Sequence, residues 1–280
     1  MKIPAPEFGL GETRIVSMDE LPWDDPQNAK MDFSIVRLDE GSTIAMEDRV
    51  EKLVLLMKGE VTFSWMEESS SEAVSERVRR DSLFDENPWC LSAPASTSVS
   101  ITAESGNVEL AIMETRNDDA FQAKLYSPSE CASEMRGEGT MRGTSTRVVR
   151  TIFDRSNAPP ESKFVIGEVI TFPGKWSSYP PHHHPQPEIY HYRFLPENGF
   201  GVGFLGDEAV KATHGDTTTI LDVVHSQVAA PGYAMWYLWV IRHLDDAPYG
   251  PESGTPIFEP EHTWVMDKDS EARIWPPEEH

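Results

Sequence analysis

Two histidines at alternate positions and a nearby carboxylate are the residues of this chain best placed to do chemistry. They stand in Gly174-Lys175-Trp176-Ser177-Ser178-Tyr179-Pro180-Pro181-His182-His183-His184-Pro185-Gln186-Pro187-Glu188. His182 and His184 are two apart, so in an extended segment both rings leave the same face. Glu188 follows a proline-bounded turn and opens the strand-like run Ile189-Tyr190-His191-Tyr192-Arg193. Where Glu188 faces an interior, Tyr190 and Tyr192 face it too. A fourth ligand would come from a later strand, and the best candidate is His225, which ends the run from Gly215 to Val224. Neutral imidazoles with one carboxylate suit one divalent metal ion such as Zn, Fe, Mn or Ni, with further positions open to water or substrate oxygens. The residue types do not rank these metals. His183 points away from its neighbours, and His214 and His262 read as surface or packing residues. On residue types alone, a solvated histidine-rich loop stays open as the plain alternative, as does simple core packing for Tyr190 and Tyr192.

Such a group needs rigid strands to hold it. From Met31 the chain runs in short apolar stretches, Phe33 to Leu38, Leu53 to Met57, Val61 to Trp65, Val99 to Thr102 and Val108 to Met113. Val61, Phe63 and Trp65 alternate with Thr62 and Ser64, as a strand with one buried face does. Lys58-Gly59-Glu60 reads as a turn, and Ser69 to Arg80 as either a hairpin excursion or a short helix. A glycine- and serine-rich passage follows, and strand-like runs resume at Thr146 to Phe153, Phe164 to Phe172, Glu188 to Phe194, Phe200 to Phe204, Thr217 to Val224 and Ala234 to Ile241. The expectation is an all-β chain with two antiparallel barrels in tandem: residues 1–125 with a surface leader, a linker at 126–146, and residues 147–280 ending in a proline-rich irregular tail. No glycine-rich phosphate motif or alternating long helix supports a nucleotide-binding fold.

Composition narrows the partners. With 24 Lys+Arg against 47 Asp+Glu, the formal charge is −23, which disfavours nucleic acid and anionic membranes. No run approaches the roughly 20 apolar residues of a membrane helix, and no signal-peptide core follows Met1. A cytoplasmic protein is expected. Cys90 and Cys131 form no CxxC pair or disulfide framework and are expected to be reduced.

The segment Gly174 to His184, continued by Glu188-Ile-Tyr190-His-Tyr192-Arg193, resembles a long motif of the 5-deoxy-glucuronate isomerase family of myo-inositol breakdown, close to G-N-W-S-S-Y-P-P-H-K-H followed by E-E-x-Y-Y-Y-R. Arg136-Gly137-Glu138-Gly139, Arg147-Val148-Val149, Ala229 to Tyr233, Met235 to Leu238 and Glu261 to Val265 are similar to further parts of it. The likeness covers nearly the whole chain and is weak before Met31. It implies a bicupin, two tandem double-stranded β-helix (jelly-roll) barrels, with metal ligands at His182, His184, Glu188 and His225. The first half, which has no histidine before His182, would be a metal-free partner. The chain departs from the family where Leu221 and Val223 replace a proline and a glycine before the last ligand, and where bulky Trp239 replaces a smaller residue. The first change threatens the approach of His225, and the second the shape of the pocket.

The resemblance also implies an aldose–ketose isomerisation of a sugar acid. Tyr190 is then favoured over Tyr192 as the proton-transferring phenol, and Arg142 or Arg147 would bind the substrate carboxylate, with a surface charge or salt bridge as the plain reading of each arginine. Competing readings are the related isomerase of 4-deoxy-hexuronate ketoses, a cupin dioxygenase, and a sugar-acid-binding protein without turnover. Homo-oligomerisation is expected from the packing surface that barrel faces and a tail provide.

Overall fold

Alternating apolar and polar residues do fold as strands here. The computed structural model describes residues 1–46, 49–67 and 72–276; the start of the Ser69 to Arg80 segment, residues 69–71, and the end of the tail, residues 277–280, lie outside them. Apart from short 3-10 turns and one four-residue helix, Ser270–Arg273, the regular elements are strands in three sheets. A seven-stranded sheet runs in the order Lys2–Ile3, Thr217–Ile220, Glu188–Leu195, Ala234–Arg242, Phe164–Thr171, Arg147–Phe153, Ala132–Arg136. A five-stranded sheet runs Glu208–Thr213, Phe200–Leu205, His225–Ala229, Trp176–His183, Ile257–Phe258. The third, nine-stranded, is organised around the 17-residue strand Glu51–Glu67.

The all-β expectation holds, but the closed barrels of a bicupin are not what the strands form. The seven- and five-stranded sheets are open paths and the nine-stranded one branches at Glu51–Glu67, so among the described residues no sheet closes on itself. Hydrogen bonding stops at these edges and side chains close the core instead. Val149, Val169, Tyr190, Tyr192, Phe194, Ile220, Met235 and Tyr237 of the seven-stranded sheet share one apolar cluster with Ala212 and Ala229 of the five-stranded sheet. Alternation marks a buried face, but it carries no information on whether the edge strands find each other.

By its contacts the chain divides into two compact units. One comprises Met1–Ala5, Ser133–Arg150 and Gly167–His280, the other Pro6–Ala132 with Thr151–Ile166. In the second unit Lys58-Gly59-Glu60 is not a turn. The strand continues through it, with a register shift between Leu56 and Lys58 against Val108–Thr115. Gly59 sits at φ +98, and a Cβ there would lie 2.8 Å from Val108 Cγ2, so only glycine fits this bend. Val74–Arg80 pairs back on Val61–Trp65 as a hairpin, which decides that segment against a helix. Among the described residues no helix is long and apolar enough to cross a membrane, and both cysteines are buried thiols.

In the first unit, Asp216 fastens the elements around the strand that carries Glu188. Its carboxylate accepts from Lys2 Nζ at 2.7 Å, the Ala5 amide at 2.9 Å, and the Thr213 amide and hydroxyl at 2.7 and 2.8 Å. Thr217–Ile220, which follows it, pairs with Glu188–His191.

Candidate metal centre

Two local devices bring the histidines together. Trp176–His183 pairs with His225–Ala229, matching Ser177 to Gln227 and His182 to His225, with a register shift between them. Four residues separate Ser177 from His182 on one strand while Ser226 alone separates Gln227 from His225 on the other, so the chain bulges and re-aims the histidines. Ser178 in this bulge has φ +49. The second device is the turn before His225. Without the family's proline and glycine, it is made by Asp222 in the left-handed region, φ +48, which the short Asp side chain tolerates better than a branched one. The Asp222 carboxylate also meets His183 Nδ1 at 3.0 Å. His183 is thereby held off the centre, and His225 reaches it despite Leu221 and Val223.

His184, Glu188 and His225 form a group whose donor atoms all lie within 4.8 Å of one another, and the three are 1%, 3% and 2% exposed. Glu188 Oε2 is 3.3 Å from His184 Nε2 and 3.4 Å from His225 Nε2. Each imidazole has its Nδ1 on a backbone carbonyl, His184 on Gln186 at 2.9 Å and His225 on Val223 at 3.0 Å. A carbonyl only accepts, so Nδ1 carries the proton and Nε2 presents a bare lone pair. Two lone pairs and a carboxylate oxygen thus converge among buried side chains. His225 Nε2 has no hydrogen-bond partner. Such a set repels itself unless a cation or a proton lies between the donors. Donors 2.0–2.1 Å from one tetrahedral ion stand about 3.3–3.4 Å apart, which is the spacing of Glu188 Oε2 from each of the two imidazoles. The group is able to coordinate a divalent metal ion.

His182 stands beside this group. Its ring centroid is 4.5 Å from that of His225, and its Nδ1 lies 3.0 Å from the Pro180 carbonyl, so its Nε2 is the free nitrogen as well. Burial lowers its pKa to about 4 and lowers that of His225 well below the usual value. Both rings are therefore neutral near pH 7, as ligation requires. Burial also raises the pKa of the Glu188 carboxyl, with the nearby His184 ring and Tyr190 hydroxyl acting against it.

The phenols adjoin the donors. Tyr190, 5% exposed, has its ring 5.9 Å from His225 and its hydroxyl 3.1 Å from Ser178 Oγ. Tyr237 reaches the same Ser178 Oγ at 3.4 Å. Burial raises the pKa of Tyr190, Tyr192 and Tyr237, so all three are neutral donors. Tyr192 lies deeper in the apolar cluster. Arg147 donates to the Ser145 and Tyr179 carbonyls at 2.7 and 3.4 Å; burial lowers its pKa, and the Tyr237 phenol opposes that shift. Its charge in turn depresses the pKa of His182, so it belongs to this neighbourhood. Arg142 is held elsewhere. Its guanidinium donates to the Ile274 carbonyl at 2.8 Å and its amide to Glu271.

Ser178, Tyr237 and two aromatic walls were not singled out from the sequence. Tyr249 packs edge-on to His184 at 4.9 Å and Phe258 to His182 at 5.6 Å. Both come from the proline-rich tail, whose strand Ile257–Phe258 pairs with His182 and His183. Trp239 packs against the apolar cluster that holds Tyr190 and Tyr237. Its ring lies over Gly167, where a Cβ would come within 2.4 Å of Cζ2 and 2.3 Å of the Arg150 carbonyl.

The KduI/IolB family model matches residues 17–265. The chain belongs to the KduI/IolB family. Curated relatives include the 5-deoxy-glucuronate isomerase of Geobacillus kaustophilus (strain HTA426), 28% identical over 258 residues that cover 86% of this chain and 87% of the relative. That of Bacillus subtilis (strain 168) is 25% identical over 260 residues, covering 85% and 88%. Among solved structures, an IolB-like protein from Salmonella typhimurium LT2 superposes with a TM-score of 0.78 at 23% identity, covering 95% of this chain and 99% of that one. Oxalate decarboxylase from Lactobacillus farciminis superposes with a TM-score of 0.60 at 11% identity, covering 85% and 83%. These two likenesses are of fold.

Proposed function

We propose that the protein is a divalent-metal-dependent aldose–ketose isomerase that converts 5-deoxy-glucuronate to 5-dehydro-2-deoxy-gluconate. The observation that carries this reading is the convergence of the buried His184 and His225 Nε2 atoms on the Glu188 carboxylate. The names of the curated relatives supply the substrate. His184, Glu188 and His225 would hold the ion, with His182 as the fourth ligand. When bound, the ion would supply charge stabilisation to the two substrate oxygens between which the carbonyl moves, which makes the C2 proton more acidic.

The other steps fall to the chain's own groups. Glu188 is committed to the ion and is a poor base. Tyr190, a neutral phenol beside Glu188 and His225, is placed to hold a proton at its Oη and pass it to a substrate oxygen. Tyr192 supports its ring at a centroid distance of 6.3 Å. Arg147 receives the substrate carboxylate, since its charge is already near the centre and burial makes an anionic partner favourable. Tyr249 and Phe258 wall off the histidine rings and exclude water.

The test is turnover of 5-deoxy-glucuronate by the purified protein, with metal content recorded on the same sample before and after chelation. Conversion that disappears with the metal and returns with it supports the reading. Metal binding with no conversion overturns it in favour of a sugar-acid-binding protein, oxygen uptake would favour a dioxygenase, and turnover of a 4-deoxy-hexuronate ketose alone would favour the related isomerase.

A further inference from the structure

Ser178 occupies a backbone position that does not favour serine. Its φ of +49 lies in the left-handed region, where a side chain crowds the backbone and glycine does not. Non-glycine residues persist there when their surroundings hold them in place, and such positions cluster at functional sites. What holds Ser178 is visible. Its hydroxyl is 3.1 Å from Tyr190 Oη and 3.4 Å from Tyr237 Oη, and the two phenol rings, on neighbouring strands, are 4.8 Å apart. A hydroxyl has one proton and two lone pairs, so this one atom can set the direction of both phenols. Tyr190 hydrogen-bonds onward to Glu188. Tyr237 is influenced by Arg147, Ser177 and Gln227. The space between Tyr190, Tyr192, His225 and Gln227 is a cavity of about 10 Å³, room for about one water.

We propose that Ser178 is a positioning residue that locks Tyr190 and Tyr237 into one donor pair beside the metal group, aimed at the oxygens of a hydroxylated sugar acid. This rests on the isomerase reading above for its substrate, but the hydroxyl bridge itself can be tested without it.

The variants are S178G, S178A, Y237F and the double variant S178G/Y237F, each made in the full chain and loaded with metal. S178G removes the hydroxyl and relaxes the backbone, so a folding defect is not expected from it. The proposal expects kcat in S178G and S178A to fall roughly 10- to 100-fold, with KM within about twofold and bound metal unchanged. The double variant should be no slower than the slower single one. Wild-type kcat in folded S178G, or metal loss that parallels the loss of activity, overturns the assignment. If the unaltered, metal-loaded protein leaves 5-deoxy-glucuronate untouched, the isomerase reading fails by itself. The bridge is then decided by thermal unfolding. Y237F should lower Tm by about 2–4 °C when Ser178 is present and by clearly less in the S178G background, where only its other hydrogen bonds are lost. Equal shifts in both backgrounds overturn it.

Discussion

The histidine electrostatics can be tested without any substrate, through His182. Its pKa is lowered from 6.5 to about 4, first by burial, while the Pro180 carbonyl that accepts its Nδ1 proton acts the other way. Between those values the unfolded chain takes up a proton that the folded chain refuses. The contribution to stability is therefore fully present above the unfolded value and is lost as pH falls towards the folded one. Crossing the whole window is worth about 3 kcal/mol, and going from about pH 7 to about pH 4.5 costs about 2 kcal/mol of it. The perturbation is H182N, which keeps a side-chain N–H for the Pro180 carbonyl and has no titrating nitrogen. The assay is urea unfolding of chelator-treated protein and variant at both pH values. Glu188, whose raised pKa favours the metal-free fold at low pH and loses that effect as pH rises through its folded value, is common to both proteins. The constant cost of the substitution cancels as well. The unaltered protein should lose about 2 kcal/mol more than H182N on acidification. Parallel losses would refute the argument that burial keeps this ring neutral.

Three further outcomes follow from the same geometry. Glu188→Gln keeps the shape of the side chain but removes the charge between His184 and His225, so divalent-metal affinity by equilibrium dialysis should fall at least about 100-fold. Arg147→Ala should raise KM for 5-deoxy-glucuronate roughly 10-fold or more through loss of a charged hydrogen-bond partner; Arg142→Ala, whose guanidinium is on the Ile274 carbonyl, should leave KM unchanged, and equal effects would cancel the distinction. Gly167→Ala would place a methyl 2.3 Å from the Arg150 carbonyl and 2.4 Å from the Trp239 ring, so unfolding experiments should show a loss of about 1–3 kcal/mol.

Much of the centre was legible because it depends on short-range spacing. His184, Glu188 and Tyr190 follow each other within seven residues, counting both ends, and strand geometry alone turns Glu188, Tyr190 and Tyr192 to one side. His225 was legible only as a candidate, since nothing local ties it to His182. The structure supplies that tie as a register match across a bulge. Ser178 and Tyr237 stood in segments already recognised as distinctive, yet their meeting spans 59 positions and leaves no periodic trace. The same limit applied to architecture. Buried faces were readable from alternation, whereas the open edges of the three sheets are a property of pairing. Arg142 and Arg147 are five residues apart and chemically equal in sequence, and only their partners separate them.

The departures from the family's motif show what the centre requires. A proline and a glycine before the last ligand are one way to turn the chain. Here Asp222 turns it in the left-handed region and hydrogen-bonds to His183, so the backbone path is kept by a different residue. Trp239 is bulky where the family has a smaller side chain, and it is accommodated because Gly167 has no Cβ to meet it. Neither change alters the Nδ1-to-carbonyl bonds that aim the imidazoles. Those bonds use backbone oxygens of Pro180, Gln186 and Val223, and a backbone carbonyl survives any substitution that preserves the local chain path. Ligand aim is thus separated from side-chain identity around it, and the surrounding sequence is free to vary without dismantling the donor set.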